Sequence, residues 1–123
     1  MAAVRRSFRE HFLAPSGRGE IDPSGGEESV GEAENQVCGD WVRFHLRLEV
    51  GRIADARMQV RGCSATIACA SIAVEALAGL EPEAALLLDV HALAEAAGAT
   101  PRQLSHAPWV VKRAIRETLA KLP

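Results

Sequence analysis

Aromatic residues make up only 4% of the 123-residue chain. A buried core must therefore be assembled mostly from Ala, Leu, Val and Ile. No apolar run approaches the roughly 20 residues that a membrane span requires, so no membrane partner is expected. An excess of charge of either sign is missing as well. The formal net charge is −2, which gives no electrostatic reason to expect nucleic acid as a partner. The opening "MAAVRRSFREHF" carries three arginines and no apolar stretch of the kind a secretory signal needs. Glu10 and the lack of a long Ser-rich stretch argue against a transit peptide. Cysteine is limited to Cys38, Cys63 and Cys69, an odd number without secretory context. That favours a reducing, cytoplasmic location and thiols used for reactivity, metal or packing rather than a disulfide framework. The length fits one domain, which buries enough surface to fold without a disulfide or metal.

Residues 1–13 suit a short helix with Phe8, Phe12 and Leu13 as its apolar stripe. Residues 14–35, "APSGRGEIDPSGGEESVGEAEN", are rich in Gly, Ser, Pro and Glu and show no periodicity. They read as a mobile acidic connector. The chain thus divides into 1–35, helix plus connector, and 36–123, the regular part. In "WVRFHLRLEV" the apolar residues Val42, Phe44, Leu46, Leu48 and Val50 alternate with Arg43, His45, Arg47 and Glu49. Period two over this length is a strand with one buried face, and places His45 on the solvated side. After Gly51, "RIADARMQVR" resumes the alternation with Ala54, Ala56, Met58 and Val60 inward. The two segments read as an antiparallel hairpin over 41–61. Both inward sets are even-numbered, so the connection needs a three-residue loop or a bulge near Ile53. Helices are expected over 64–79 with Ser64 as N-cap, then over "EPEAALLL", over "VHALAEAA" behind an Asp89 cap with His91 exposed in its first turn, and finally over "PWVVKRAIRETLAKL". Val111, Ala114, Ile115, Thr118, Leu119 and Leu122 form one face of the last helix. Lys112, Arg113, Arg116 and Lys121 make it basic. Hairpin first and helices after indicate an α+β domain, a small antiparallel sheet covered by helices.

The hairpin turns sequence distance into proximity. Cys38 and Asp40 precede its first strand and Cys63 follows its second, so antiparallel pairing brings all three to one edge. Asp40 should lie opposite a residue within about two of position 63. Cys63 also stands immediately before a helix, where unpaired backbone N–H groups favour an anion. Cys69 lies six residues further on, turned about 240° away, and reads as a packed small hydrophobe. Two thiols and a carboxylate leave room for a fourth ligand in a tetrahedral Zn or Fe site. His is the fitting type. His11, His45, His91 and His106 are all candidates, and spacing does not choose among them.

These motifs resemble those of the NifU-like and IscU-like scaffolds of iron–sulfur cluster assembly. "FREHFLAPSGRG" is similar to the family's opening, an acidic-His-aromatic run before Pro and Gly. "NQVCGD" is similar to its Asn-Pro-x-Cys-Gly-Asp, with Gln36 in place of Pro. "GRIADARMQVRGCSATIACASIAVEAL" is similar to its Gly-x-Ile-x-Asp-Ala hairpin, Gly-Cys and helix of small residues. The family's third cysteine, preceded by His, opens the last helix. Aligning "HAPWVVKRAIRETL" on its His and later apolar spacing puts His106 on the family His and Ala107 on the cysteine. Aligning on Pro108 instead puts Lys112 and Arg113 there and disrupts the apolar phase. In either register the third thiol is absent.

The resemblance implies a SufE/NifU-like sandwich and a scaffold, not an enzyme. A transient iron–sulfur cluster, of the 2Fe-2S type, would be assembled on Cys38, Asp40, Cys63 and His106. A cysteine desulfurase would supply sulfur, and apo iron–sulfur proteins would accept the product. An iron donor or a chaperone would complete the partners, although "TPRQL" shares only Pro101 with the family's chaperone-recognition segment. The missing thiol leaves a second reading, a degenerate module that holds a Zn or Fe ion with a regulatory or adaptor role. A third, an enzyme with Cys63 as nucleophile and His106 as base, lacks any oxyanion motif.

Overall fold

The computed structural model describes residues 6–22 and 27–122. Eight elements follow in order: α1 (Phe8–Leu13), β1 (Glu27–Glu34), β2 (Trp41–Glu49), β3 (Arg52–Arg61), α2 (Ser64–Leu77), α3 (Pro82–Leu86), α4 (Val90–Ala96) and α5 (Ala107–Ala120). The strands form one antiparallel sheet in the order β1-β2-β3. The α+β class expected from the sequence is present, with one more strand than the hairpin.

That strand corrects the connector expected over 14–35. Glu27–Glu34 pairs with β2 along its length, from Glu27 opposite Leu48 to Glu34 opposite Trp41. Its inward positions are Ser29, Gly31 and Ala33, all buried. Small residues are required there because α5 lies directly on the strand. A Cβ on Gly31 would sit 2.6 Å from the Cα of Thr118. The Ser29 hydroxyl donates to the Thr118 carbonyl at 2.5 Å. Residues 23–26 of the same segment lie outside the described residues.

The hairpin carries the irregularity that parity demands. Trp41 pairs with Arg61 and Arg47 with Asp55, and then the register shifts so that Leu48 meets Ile53. Ala54 is the extra residue of the bulge. It is exposed, and Ile53 points into the core at 1% exposure. The inward placement expected for Ala54 is therefore corrected. Val50 leaves the buried face too. It sits in the turn with φ 52° and is fully exposed. His45 is corrected in the other sense. Although it is on the outer face, Val30 and Arg57 flank it across the sheet and its residue is only 8% exposed. Its Nε2 is 3.0 Å from Gln59 Oε1.

The inner face of the sheet is covered by two helices, α5 on β1 and β2 and α2 on β3. Val42, Phe44, Leu46, Ile53 and Met58 from the strands meet Leu77, Val110, Val111 and Ile115 from the helices. Each such buried side chain contributes about 1.5–3 kcal/mol of transfer free energy. Ala68, Ala70 and Ala73 of α2 are fully buried, so the helix axis lies close to its neighbours. Helix α2 ends at Leu77, before the expected 79, and its N-cap is Cys63 rather than Ser64. Helix α4 begins as expected, with Asp89 Oδ1 accepting the Ala92 N–H at 3.0 Å.

Helix α1 packs against α2. Its stripe differs from the expected one, because Phe8 and His11 are buried while Phe12 and Leu13 are 40% and 64% exposed. The polar residue goes inward because partners meet it. His11 Nδ1 lies 2.7 Å from Ser71 Oγ, and Nε2 lies 3.7 Å from Glu75 Oε1. Arg6 donates to the same Glu75 at 2.9 Å.

Candidate functional site

The site is built where the hairpin's open end meets the start of α2. Trp41 pairs with Arg61, which sets Asp40 beside Gly62 and Cys63. The loop before β2 is closed by the Asn35 N–H donating to the Asp40 carbonyl at 2.8 Å and the Gly39 N–H donating to the Asn35 carbonyl at 2.7 Å. Cys38 projects from that loop and is exposed.

Asp40 is 5% exposed, yet its carboxylate is well supplied with donors. Oδ1 accepts the Cys63 N–H at 3.1 Å. Oδ2 accepts the Thr66 hydroxyl at 2.7 Å and the Cys63 thiol at 3.5 Å. Burial pushes the Asp40 carboxyl up, but bonds from Thr66, the Cys63 N–H, and the Cys63 and Cys38 thiols outweigh it and hold the group below its ordinary value. The carboxylate thus binds a backbone N–H that α2 leaves without an intrahelical partner. Gly62 makes the approach feasible, since a Cβ there would stand 2.8 Å from Asp40 Cγ.

Cys63 is the N-cap of α2, with its own carbonyl accepting from Thr66 and Ile67. Its Sγ lies 3.4 Å from Thr66 Oγ1. On the opposite wall, His106 is the N-cap of α5 and is exposed, and Ala107 follows it. Cys38, Asp40, Cys63, His106 and Ala107 all line one cavity of about 660 Å³, together with Arg61 and Arg102. Arg61 also stacks over Trp41 at 5.0 Å from the ring centroid.

A family model described as the NifU-like N terminal domain matches residues 4–123. The chain belongs to this family. Among its relatives, the iron-sulfur cluster assembly scaffold protein IscU 1 of Archaeoglobus fulgidus is 36% identical over 110 residues, covering 89% of this chain and 70% of that protein. The zinc-dependent sulfurtransferase SufU of Bacillus subtilis is 30% identical over 82 residues, covering 67% of this chain and 53% of that protein. The crystal structure of a hypothetical protein superposes with a TM-score of 0.73 at 23% identity, covering 93% of this chain and 94% of that one. That last likeness is one of fold.

In this NifU-like domain the four histidines have separate surroundings. His11 is buried between α1 and α2, His45 lies on the sheet, His91 is exposed on α4, and His106 faces the cysteine cavity. Lys112 and Arg113, the residues of the alternative register, lie elsewhere. Lys112 donates to the carbonyls of Leu86 and Leu88, and Arg113 stacks over Trp109. Cys69 is fully buried on α2, and burial pushes its thiol up to about 12, with the nearby Cys63 adding to the shift. Among the described residues no three His, Cys, Asp or Glu side chains already converge at metal-binding distance. The donor types nonetheless suit Zn²⁺ or iron, with two thiols, one carboxylate and one imidazole around a single opening. Thr66 and Gly62 were not among the residues expected from sequence. Their signal is local, a Gly directly before the capping cysteine and a hydroxyl three residues after it.

Proposed function

We propose that this chain is an iron–sulfur cluster assembly scaffold whose cargo, iron and sulfide, is gathered at Cys38, Asp40, Cys63 and His106. The observation that carries the reading is the shared cavity. Three elements, the loop before β2, the start of α2 and the start of α5, each contribute a thiol, carboxylate or imidazole residue to its lining, which supports the reading. Cys38 on its exposed loop is the donor with freedom to close on the others. Asp40 is held in place by hydrogen bonds that it exchanges for a metal bond when cargo arrives. A carboxylate in the ligand set keeps the product labile and suits transfer. A cysteine desulfurase and apo iron–sulfur proteins are the partners this role requires. No helix among the described residues is long and apolar enough to cross a membrane.

A second reading rests on Ala107, which brings no thiol to the wall where it stands beside His106. Two thiols, a carboxylate and an imidazole also satisfy four-coordinate Zn²⁺. In that reading the domain holds one ion and serves as a regulatory or adaptor module. Anaerobic reconstitution with Fe²⁺ and sulfide separates the two. The scaffold reading expects visible absorption that is lost in Cys38→Ser and in Cys63→Ser. A colourless product that retains stoichiometric zinc through purification would overturn it and support the second.

A further inference from the structure

Eight large apolar side chains are exposed among the described residues, and three of them, Leu86, Leu87 and Trp109, surround one groove. Leu86 and Leu87 lie at the α3–α4 turn, where Leu87 is 83% exposed. Trp109 lies on the first turn of α5 and is 54% exposed. Between them is a cavity of about 550 Å³ whose lining includes Val90, Leu104 and Pro108. Single exposed apolar residues are ordinary, but a concave cluster marks a binding surface.

The turn is held in place. Lys112 Nζ donates to the carbonyls of Leu86 and Leu88, both at 2.6 Å. The groove's margin is basic. Lys112 and Arg116 line it. Asp89 is the one carboxylate in the lining, and its Oδ1 is engaged by the Ala92 N–H. Charge complementarity therefore calls for an acidic occupant, and the apolar floor calls for one with a continuous apolar stripe. Trp and Arg side by side are the residue types that dominate interface energetics.

We propose that the groove between the α3–α4 turn and α5 docks an acidic amphipathic helix of a partner protein. Its apolar residues would fill the cavity between Leu87 and Trp109, and its carboxylates would face Lys112 and Arg116. Ser105 lines both this groove and the cavity that holds Cys38, Cys63 and His106. A helix seated here thus anchors its protein beside the thiols without covering them.

The test uses the full metal-free chain carrying Trp41→Phe, so that Trp109 is the sole tryptophan. A synthetic helical peptide of about 18 residues, leucine at i, i+3, i+4 and i+7 and glutamate on the other face, is titrated in. Expected is a saturable blue shift of Trp109 emission, weakened about tenfold or more when the glutamates are replaced by lysines and also weakened by added salt. Leu87→Ser and Arg116→Glu should each weaken binding about tenfold at an unchanged thermal midpoint, since both side chains are exposed. Equal response to the two peptides, or none, overturns the proposal. So does a shift produced by phosphatidylserine vesicles but not by the peptide, or concentration-dependent self-association that protects Trp109. Failure of cluster reconstitution would leave this result untouched, and the converse holds.

Discussion

Replacing Thr66 with Val tests whether Asp40 is held as a poised carboxylate. The substitution keeps the branched shape and removes one donor, the hydroxyl 2.7 Å from Asp40 Oδ2. Oδ1 keeps its bond from the Cys63 N–H at 3.1 Å. A hydrogen bond to a charged group contributes about 1.5–3 kcal/mol net. Thr66 is fully buried and Asp40 nearly so, which leaves little room for water to substitute. We therefore expect a loss of about 2 kcal/mol near neutral pH, read from urea midpoints at constant slope. The loss should depend on pH. Folding lowers the Asp40 pKa below its ordinary 3.8, so its stabilisation is present above that value and is lost as pH falls through the folded pKa. Removing the Thr66 donor raises the folded pKa and removes that contribution. The gap between wild type and variant should thus be constant above about pH 5 and shrink below about pH 4. A loss under about 0.5 kcal/mol, or one that is the same near neutral pH and well below about pH 4, would refute the account of Asp40.

Gly31→Ala should destabilise the fold by about 1–3 kcal/mol or more, because the added Cβ meets the α5 backbone rather than a flexible side chain. An unchanged thermal midpoint would show that β1 and α5 are further apart than described. Burial of His11 lowers its pKa despite the nearby Glu75, with Arg6 adding to the lowering. The unfolded chain therefore takes up the proton near 6.5 and the folded one only at lower pH, so this contribution to stability is present above 6.5 and lost below it. Urea midpoints should fall between about pH 7.5 and about pH 5.5, and less steeply in His11→Gln. Equal slopes in the two proteins would count against a buried neutral imidazole. With its thiol pushed up to about 12, Cys69 should resist iodoacetamide in the native protein while the exposed Cys38 and Cys63 react. Mass spectrometry should find two adducts per chain, rising to three in urea. Three native adducts would contradict the packing of α2.

The hairpin was legible because the apolar residues of β2 are large and alternate strictly, and parity called for either a three-residue loop or a bulge, of which the structure has the bulge. Strand β1 was not legible for an equally physical reason. Its inward residues, Ser29, Gly31 and Ala33, are chosen for closeness to α5 rather than for transfer free energy, so a hydrophobicity pattern passes over them. His45 was misjudged, and the burial of His11 was not anticipated. A polar side chain with a partner across an interface is buried as readily as an apolar one, and partners 60 residues apart, as His11 and Ser71 are, leave no local trace. The meeting of Cys38, Asp40 and Cys63 was readable from antiparallel geometry. The role of Thr66 was not, because it depends on which way the Asp40 carboxylate turns.

That orientation bears on what kind of site this is. A structural zinc site leaves its ligands without alternative partners, so folding and metal binding are one event. Asp40 instead has partners within the protein, the Cys63 N–H and the Thr66 hydroxyl. The start of α2 is capped by the same contact. If Asp40 takes up cargo as proposed above, filling the site costs at least one charge-assisted hydrogen bond. A site with those energetics releases what it holds more readily than one that folds around its ion. On the same proposal Ala107 acts in the same direction, since it brings a methyl group rather than a thiolate to the cavity wall beside His106. On the proposed reading, two features that look like defects for binding, a carboxylate already engaged and a thiol missing, suit a site whose cargo must leave.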